Sequence, residues 1–211
     1  MLKPGGEWGG PDRPETYPVR QLLGGFGRAM LFARSRCTPP AMRLPHAREV
    51  ADYLLQLAAQ EEGTTPRTNL ELQKHLYYVQ GWAIARLGRP MFHEDIEAWH
   101  YGPVVPKVYR AVCEYEAHPI PTPAEDPYLV AEDRCFIASV WEDYKGFTAS
   151  ELARLTHEEE PWANAWEGQP HGATSKIKIR KHELASFFES QMPSSQDRGD
   201  LLGATDKEAS E

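Results

Sequence analysis

Apolar side chains recur at helical spacing through most of the middle of this 211-residue chain. The first such segment, residues 46–62, predicts a helix that ends before Gly63, a residue suited to a left-handed C-terminal position. The next begins with a capping box formed by Thr68 and Glu71, places Leu72, Leu76 and Val79 on one face, and continues to Gly88. Each of the two segments therefore predicts a helix with one apolar face.

Further periodic segments follow at 104–115, 133–144, 148–156 and 181–190, and residues 157–162 interrupt the third of them. The first of these segments places Tyr109 on its apolar, core-facing side, and the third begins with a second capping box, formed by Thr148 and Glu151. Short alternating stretches at 96–99 and 176–179 predict strands. The pattern as a whole predicts a mainly α fold, a single compact helical domain of five to seven helices with at most a short two-stranded β element.

The two ends of the chain lack this pattern. Residues 1–41 contain 13 Gly or Pro and carry a net charge of +3, and residues 193–211 contain five acidic and two basic residues with few large apolar groups. Such segments gain too little from burial to offset the loss of backbone entropy. We expect a disordered Gly/Pro-rich leader over 1–41, a folded domain over 42–192, and a disordered acidic tail over 193–211.

Three interpretations compete for the leader. A secretory signal is disfavoured because Arg28 interrupts the apolar run 21–33, and a transit peptide because glycines break the amphipathic helix that it needs. We favour a disordered leader or a gene start placed upstream of the true one, since Met42 lies just ahead of the first predicted helix.

Composition and charge exclude several classes of protein. The net charge of −8 and pI of about 5.5 make nucleic acid an unlikely partner, because non-specific affinity for nucleic acid comes from excess Lys and Arg. The chain contains no run of 18 apolar residues, so the sequence predicts no membrane-spanning helix. The isolated thiols of Cys37, Cys113 and Cys135 fit a reducing compartment, and we therefore expect a cytoplasmic protein.

No catalytic motif is complete. The chain lacks a phosphate-binding loop and a nucleophile elbow, and the start of a zinc-binding H-E-x-x-H helix at His157 fails because Pro161 occupies the position of the second histidine. The eight histidines show no ligand spacing, so we predict no catalytic, cofactor-binding or metal-binding residues. An alternative remains, a small hydrolase or transferase that uses His157 with Glu158 or Glu160.

Aromatic residues are concentrated in two segments, 99–103 and 157–162, that lack helical periodicity. Exposed aromatics in loops are preferred anchors of protein interfaces, although the same residues could instead form an internal plug. The sequence therefore predicts a set of partner-binding residues: Trp99, Tyr101, Gly102, Pro103, His157, Pro161 and Trp162.

Three blocks of residues carry a resemblance to a known family. They run from Leu72 to Trp82, from Glu97 to Tyr109 with the sequence EAWHYGPVVPKVY, and from Glu151 to Trp162. In order and approximate spacing they resemble the SocA-like antitoxin family, the Panacea domain. His75 departs from the pattern, which usually has an apolar residue there, and this departure concerns the packing of the core.

The resemblance implies a bacterial or phage protein encoded beside a toxin, which it neutralises by direct contact. It also implies an adapter role, in which the antitoxin delivers its toxin to the ClpXP protease. A transcriptional autoregulator is a further alternative that the acidic charge disfavours.

Overall fold

The computed structural model describes residues 43–61, 67–169 and 176–192. Seven α-helices occur in this part of the chain: α1 (Ala47–Gln60), α2 (Asn69–Leu87), α3 (Pro106–Val112), α4 (Ala131–Tyr144), α5 (Ala149–Glu158), α6 (Glu160–Trp166) and α7 (Lys181–Ser190). A 3₁₀ turn, Cys113–Tyr115, extends α3. The mainly α prediction is confirmed, while the predicted leader and tail lie outside the described residues.

The helix ends follow from local chemistry. The Thr68 side chain accepts a hydrogen bond from the backbone N–H of Glu71, and Gly88 ends α2 with φ of 67°. Thr148 caps α5 in the same way through Glu151. These capping boxes satisfy backbone donors that a helix leaves unpaired, and both occur where the sequence predicted them.

The small sheet has one strand more than predicted. Its strands are β1 (Ile96–Trp99), β2 (Gly102–Val104) and β3 (Lys178–Ile179), in the order β2-β1-β3 with both pairs antiparallel. The stretch 99–103, predicted as a loop, is instead a hairpin with His100 and Tyr101 as its two-residue turn. The Gly and Pro that indicated a loop belong to the three residues of β2, which lie at the edge of the sheet, where Pro is tolerated.

Helix α2 lies at the centre of the domain, and nearly every side chain from Asn69 to Ala83 is buried. The ring of Tyr78 stacks on that of Tyr144 at 3.9 Å, and the indole N–H of Trp82 donates to the Tyr144 hydroxyl at 3.0 Å. Phe188 of α7 packs edge-to-face against Trp82 with ring centroids 5.1 Å apart. Gly81 permits this packing, because a methyl group there would overlap the Phe188 ring.

His75 fits this core as a neutral ring. It is fully buried, its Nδ1 lies 2.9 Å from the Glu71 carbonyl oxygen, and its ring packs on Trp141. Burial lowers the pKa of His75 to about 4, so the side chain carries no charge near neutral pH. The departure from the family pattern at this position is therefore accommodated by a hydrogen bond from the imidazole to a backbone carbonyl and by an aromatic neighbour.

None of the helices in the described part of the chain is long and apolar enough to cross a bilayer.

Candidate interaction surface

A buried lysine of α2 holds the β1–β2 hairpin against that helix. Lys74 is fully buried, and its ammonium donates to the Pro103 carbonyl oxygen at 3.1 Å. Gly102 covers the lysine, since a Cβ at this position would lie 2.5 Å from Lys74 Nζ and 2.8 Å from Thr156 Oγ1. Its φ of 98° also favours glycine. Only glycine therefore allows the hairpin to lie this close to α2.

A kink between α5 and α6 forms the second part of the surface. Glu159 adopts an extended conformation, with φ of −86° and ψ of 133°, and Pro161 stands in the first turn of α6. The segment 157–162, predicted as a loop, is thus the end of one helix and the start of another. Proline has no N–H to leave unpaired in a first helical turn, which is why α6 can begin there.

An aromatic stack joins the kink to the hairpin. The His157 ring stacks on Trp162 at 4.1 Å, and Trp162 stacks on Trp166 at 5.6 Å. Trp166 also contacts His100, and the Trp162 indole N–H donates to the Trp99 carbonyl oxygen at 3.0 Å. The hairpin turn is consequently held in place by neighbouring rings and by one hydrogen bond from an indole side chain to the backbone.

A groove of about 860 Å³ opens beside this turn. Its walls come from the start of α2, the hairpin, the end of α3 with the turn that follows, and the first residue of α5. The lining residues are Thr68, Asn69, Leu70, Gln73, Trp99, His100, Tyr101, Val104, Tyr109, Cys113, Glu116, Ala117 and Ala149. Most of this lining is apolar or aromatic, as in sites that bind apolar side chains.

Tyr101 stands at the mouth of the groove with 67% of its surface exposed. Trp99 forms part of the wall, where its ring packs edge-to-face on Tyr109 at 4.9 Å. Tyr109, which helical spacing assigned to the core, is only half-buried and faces the groove instead.

The Panacea domain family model, described as the antitoxin SocA-like domain, matches residues 72–163. This stretch is SocA-like. It includes α2 from its first turn, the hairpin, and the kink between α5 and α6, which are the elements that build the surface. The resemblance that the sequence indicated is confirmed over these residues.

The chain is also similar to antitoxin SocA of Caulobacter vibrioides (strain NA1000 / CB15N), with 44% identity over 75 residues. The matched part is 34% of this chain and 39% of that antitoxin, so the chain spans well under half of the curated relative that it matches. No solved structure gave a significant match.

The seven predicted partner-binding residues of the SocA-like stretch come together in space, but they differ in exposure. Tyr101 is exposed, and Trp99 and His157 are half-buried. The buried members are Gly102, Pro103, Pro161 and Trp162. These four shape and support the surface, whereas Tyr101 and Trp99 line the groove.

Two ionisable residues, Lys74 and Glu159, are buried near this surface, and the sequence did not predict their burial. Burial lowers the pKa of Lys74 to about 7. Burial raises the pKa of Glu159 to about 8, although hydrogen bonding from the tyrosine hydroxyls opposes the shift. The Tyr78 hydroxyl donates to the Glu159 carboxyl at 3.0 Å. The family blocks include both residues, but nothing in the hydropathy pattern marks either one as buried.

The proposed catalytic pairing of His157 finds no geometric support. Glu158 accepts a hydrogen bond from Arg154 at 2.7 Å, and His157 Nε2 is buried without a hydrogen-bond partner. Burial, together with the nearby Lys74 and His100 side chains, lowers the pKa of His157 to about 4. Within the described residues, His157 is a neutral ring in an aromatic stack.

Proposed function

We propose that this protein is an antitoxin that neutralises a toxin, encoded by an adjacent gene, by direct binding in the cytoplasm. The observation that carries the proposal is the exposed Tyr101 beside an apolar groove; Tyr101 and most of the groove lining belong to the stretch that matches the antitoxin family. Exposed tyrosines next to apolar pockets are frequent hot spots of protein interfaces. The similarity to antitoxins favours a binding role over a catalytic one.

The groove suits an apolar or aromatic side chain of the toxin. Leu70, Trp99, Val104 and Tyr109 offer it an apolar wall, so its burial would release water from both partners. Glu116 lines the groove, and Glu114 is two positions before it in the sequence; both are exposed. Their carboxylates would meet basic residues of the toxin. We therefore expect a toxin surface with an apolar centre and positive charge around it.

The test is co-expression of the chain with the product of the neighbouring gene, followed by copurification and a measurement of affinity. We expect the neighbour to be toxic alone, harmless with this chain, and bound to it. A neighbour that is harmless alone and does not copurify would contradict the antitoxin function.

Tyr101→Ala tests the surface. We expect this variant to weaken binding by tenfold or more, because truncation of an interface hot spot costs about 2 kcal/mol. Tyr128→Ala is the matched control, since Tyr128 is 75% exposed and does not line the groove. Equal affinity of both variants would place the toxin elsewhere on the domain and leave the antitoxin function standing.

Delivery of the toxin to the ClpXP protease is a further part of the proposal, and it rests on the family resemblance alone. Faster loss of the toxin when the purified pair is incubated with ClpXP, compared with the toxin alone, would support it. Protection of the toxin by this chain would contradict it.

A further inference from the structure

A second cluster of functional groups lies outside the groove, where the start of α1 meets the loop before β1. His46 Nδ1 lies 3.3 Å from Glu94 Oε1, and His93 Nε2 lies 3.5 Å from the same oxygen. The three ligand atoms are all within 4.8 Å of one another. Two histidines that are 47 positions apart in the sequence thus converge on one carboxylate oxygen.

These separations match the geometry of a tetrahedral zinc site. Zinc binds imidazole nitrogen at about 2.0–2.1 Å and carboxylate oxygen at about 2.0–2.2 Å, which places neighbouring ligand atoms about 3.3–3.5 Å apart. The two distances to Glu94 already have these values. The remaining pair, the two ring nitrogens, can close by a small rotation of rings that are about half exposed.

The carboxylate of Glu94 is oriented before any ion binds. Its side chain is only 6% exposed, and Oε2 accepts a hydrogen bond from the Ala47 backbone N–H at 3.0 Å, so that Oε1 faces the histidines. A carboxylate fixed in this way is typical of a metal ligand supported by outer hydrogen bonds.

A lysine competes for the same oxygen. Lys107 Nζ lies 3.5 Å from Glu94 Oε1, and its side chain is 67% exposed. A flexible, exposed ammonium can move into solvent when a stronger cation arrives. Its removal should therefore favour metal binding.

We propose that His46, His93 and Glu94 bind a divalent transition-metal ion, with zinc as the preferred ion and water as the fourth ligand. Two imidazoles and one carboxylate suit zinc, whereas magnesium and calcium prefer oxygen ligands alone. The ion would join the N-terminus of α1 to the loop that leads into β1. This inference is independent of toxin binding.

The experiment is a zinc titration of the full chain, produced without a histidine tag, with a chromogenic chelator as competitor. We expect one equivalent of zinc to bind and to raise the melting temperature. His46→Ala and His93→Ala should each lower the affinity at least about tenfold, while Lys107→Ala should raise it. His118→Ala is the matched control, because His118 is exposed and lies outside the cluster.

Cobalt supplies the second readout. We expect the tetrahedral visible absorption of bound Co²⁺, lost in His93→Ala and free of a thiolate charge-transfer band. Zinc affinity that is unchanged in both histidine variants would overturn the proposal. A thiolate band would do the same, because it would place the ion on a cysteine such as Cys113 or Cys135, which are exposed.

Discussion

The buried carboxyl of Glu159 makes the stability of this domain depend on pH between its ordinary pKa and its raised one. Glu159 holds its proton to about pH 8 in the folded protein, whereas its ordinary pKa is 4.5. Between these values the folded state retains a proton that the unfolded state has lost. Stability from this residue is therefore present at low pH and is lost as the pH rises toward 8.

Glu159→Gln should remove this dependence. The glutamine oxygen can still accept the Tyr78 hydrogen bond, and it carries no charge at any pH. We expect the variant to gain stability over the parent by about 1.4 kcal/mol for each pH unit between about 4.5 and 8, and no more above that range. Urea unfolding of both proteins at several pH values measures the difference.

Glu160→Gln controls for the general loss of a negative charge, because the neighbouring Glu160 is exposed. An equal pH-dependent divergence from the parent in both variants would show that burial of Glu159 is not its cause.

The burial of polar side chains is the part of the core that the sequence could not predict. The periodicity of α2 identified Leu72, Leu76 and Val79 correctly as core. It did not identify Lys74 or Gln80 as buried, because these side chains are polar and lie off the apolar stripe. Their burial depends on backbone partners in distant segments, such as Pro103 for Lys74 and Phe92 for Gln80.

At the scale of elements, α2 and α7 meet through a contact that tolerates no added volume. Gly81 of α2 faces the Phe188 ring of α7 so closely that a methyl group would overlap it. Although alanine favours helix formation over glycine, the overlap must displace Phe188 and disturb its packing on Trp82.

Gly81→Ala should therefore destabilise the domain by about 1–3 kcal/mol, a cost typical of overpacked cores. Gly146→Ala is the matched control, since nothing lies within 4 Å of a Cβ at that position, and we expect a change within about 0.5 kcal/mol. Thermal and urea unfolding of the two variants would check this. Equal stability of both would mean that α7 can shift at little cost.

The elements themselves were largely predictable, since capping boxes and glycines fixed the ends of α2 and the start of α5. The hairpin and the kink were not. Each consists of very short pieces whose conformation is set by tertiary contacts, such as Lys74 beneath Gly102 and Trp162 against the Trp99 carbonyl. Local sequence patterns carry no information about such contacts.

At the scale of the whole molecule, the described core lies within the predicted domain 42–192. The described hydrophobic core extends from Ala47 to Phe188. The domain boundaries remain a prediction from composition and charge.

A protein that begins at Met42 and ends at Met192 should fold with the melting temperature of the full chain to within about 2 °C, because the described hydrophobic core is retained. Differential scanning calorimetry of both proteins measures this. A lower melting temperature of the shortened protein would show that the ends contribute to stability, and adding back one end at a time would identify which.

The unequal burial of the tryptophans gives the domain a built-in optical probe. Trp82, Trp141 and Trp162 are buried, whereas Trp99 and Trp166 are half-buried, and of these five only Trp99 lines the groove. Indole fluorescence shifts to shorter wavelength when water leaves the ring. Occupation of the groove therefore changes the emission of Trp99, and the same spectrum recorded on a Trp99→Phe variant separates this change from the emission of the other indoles.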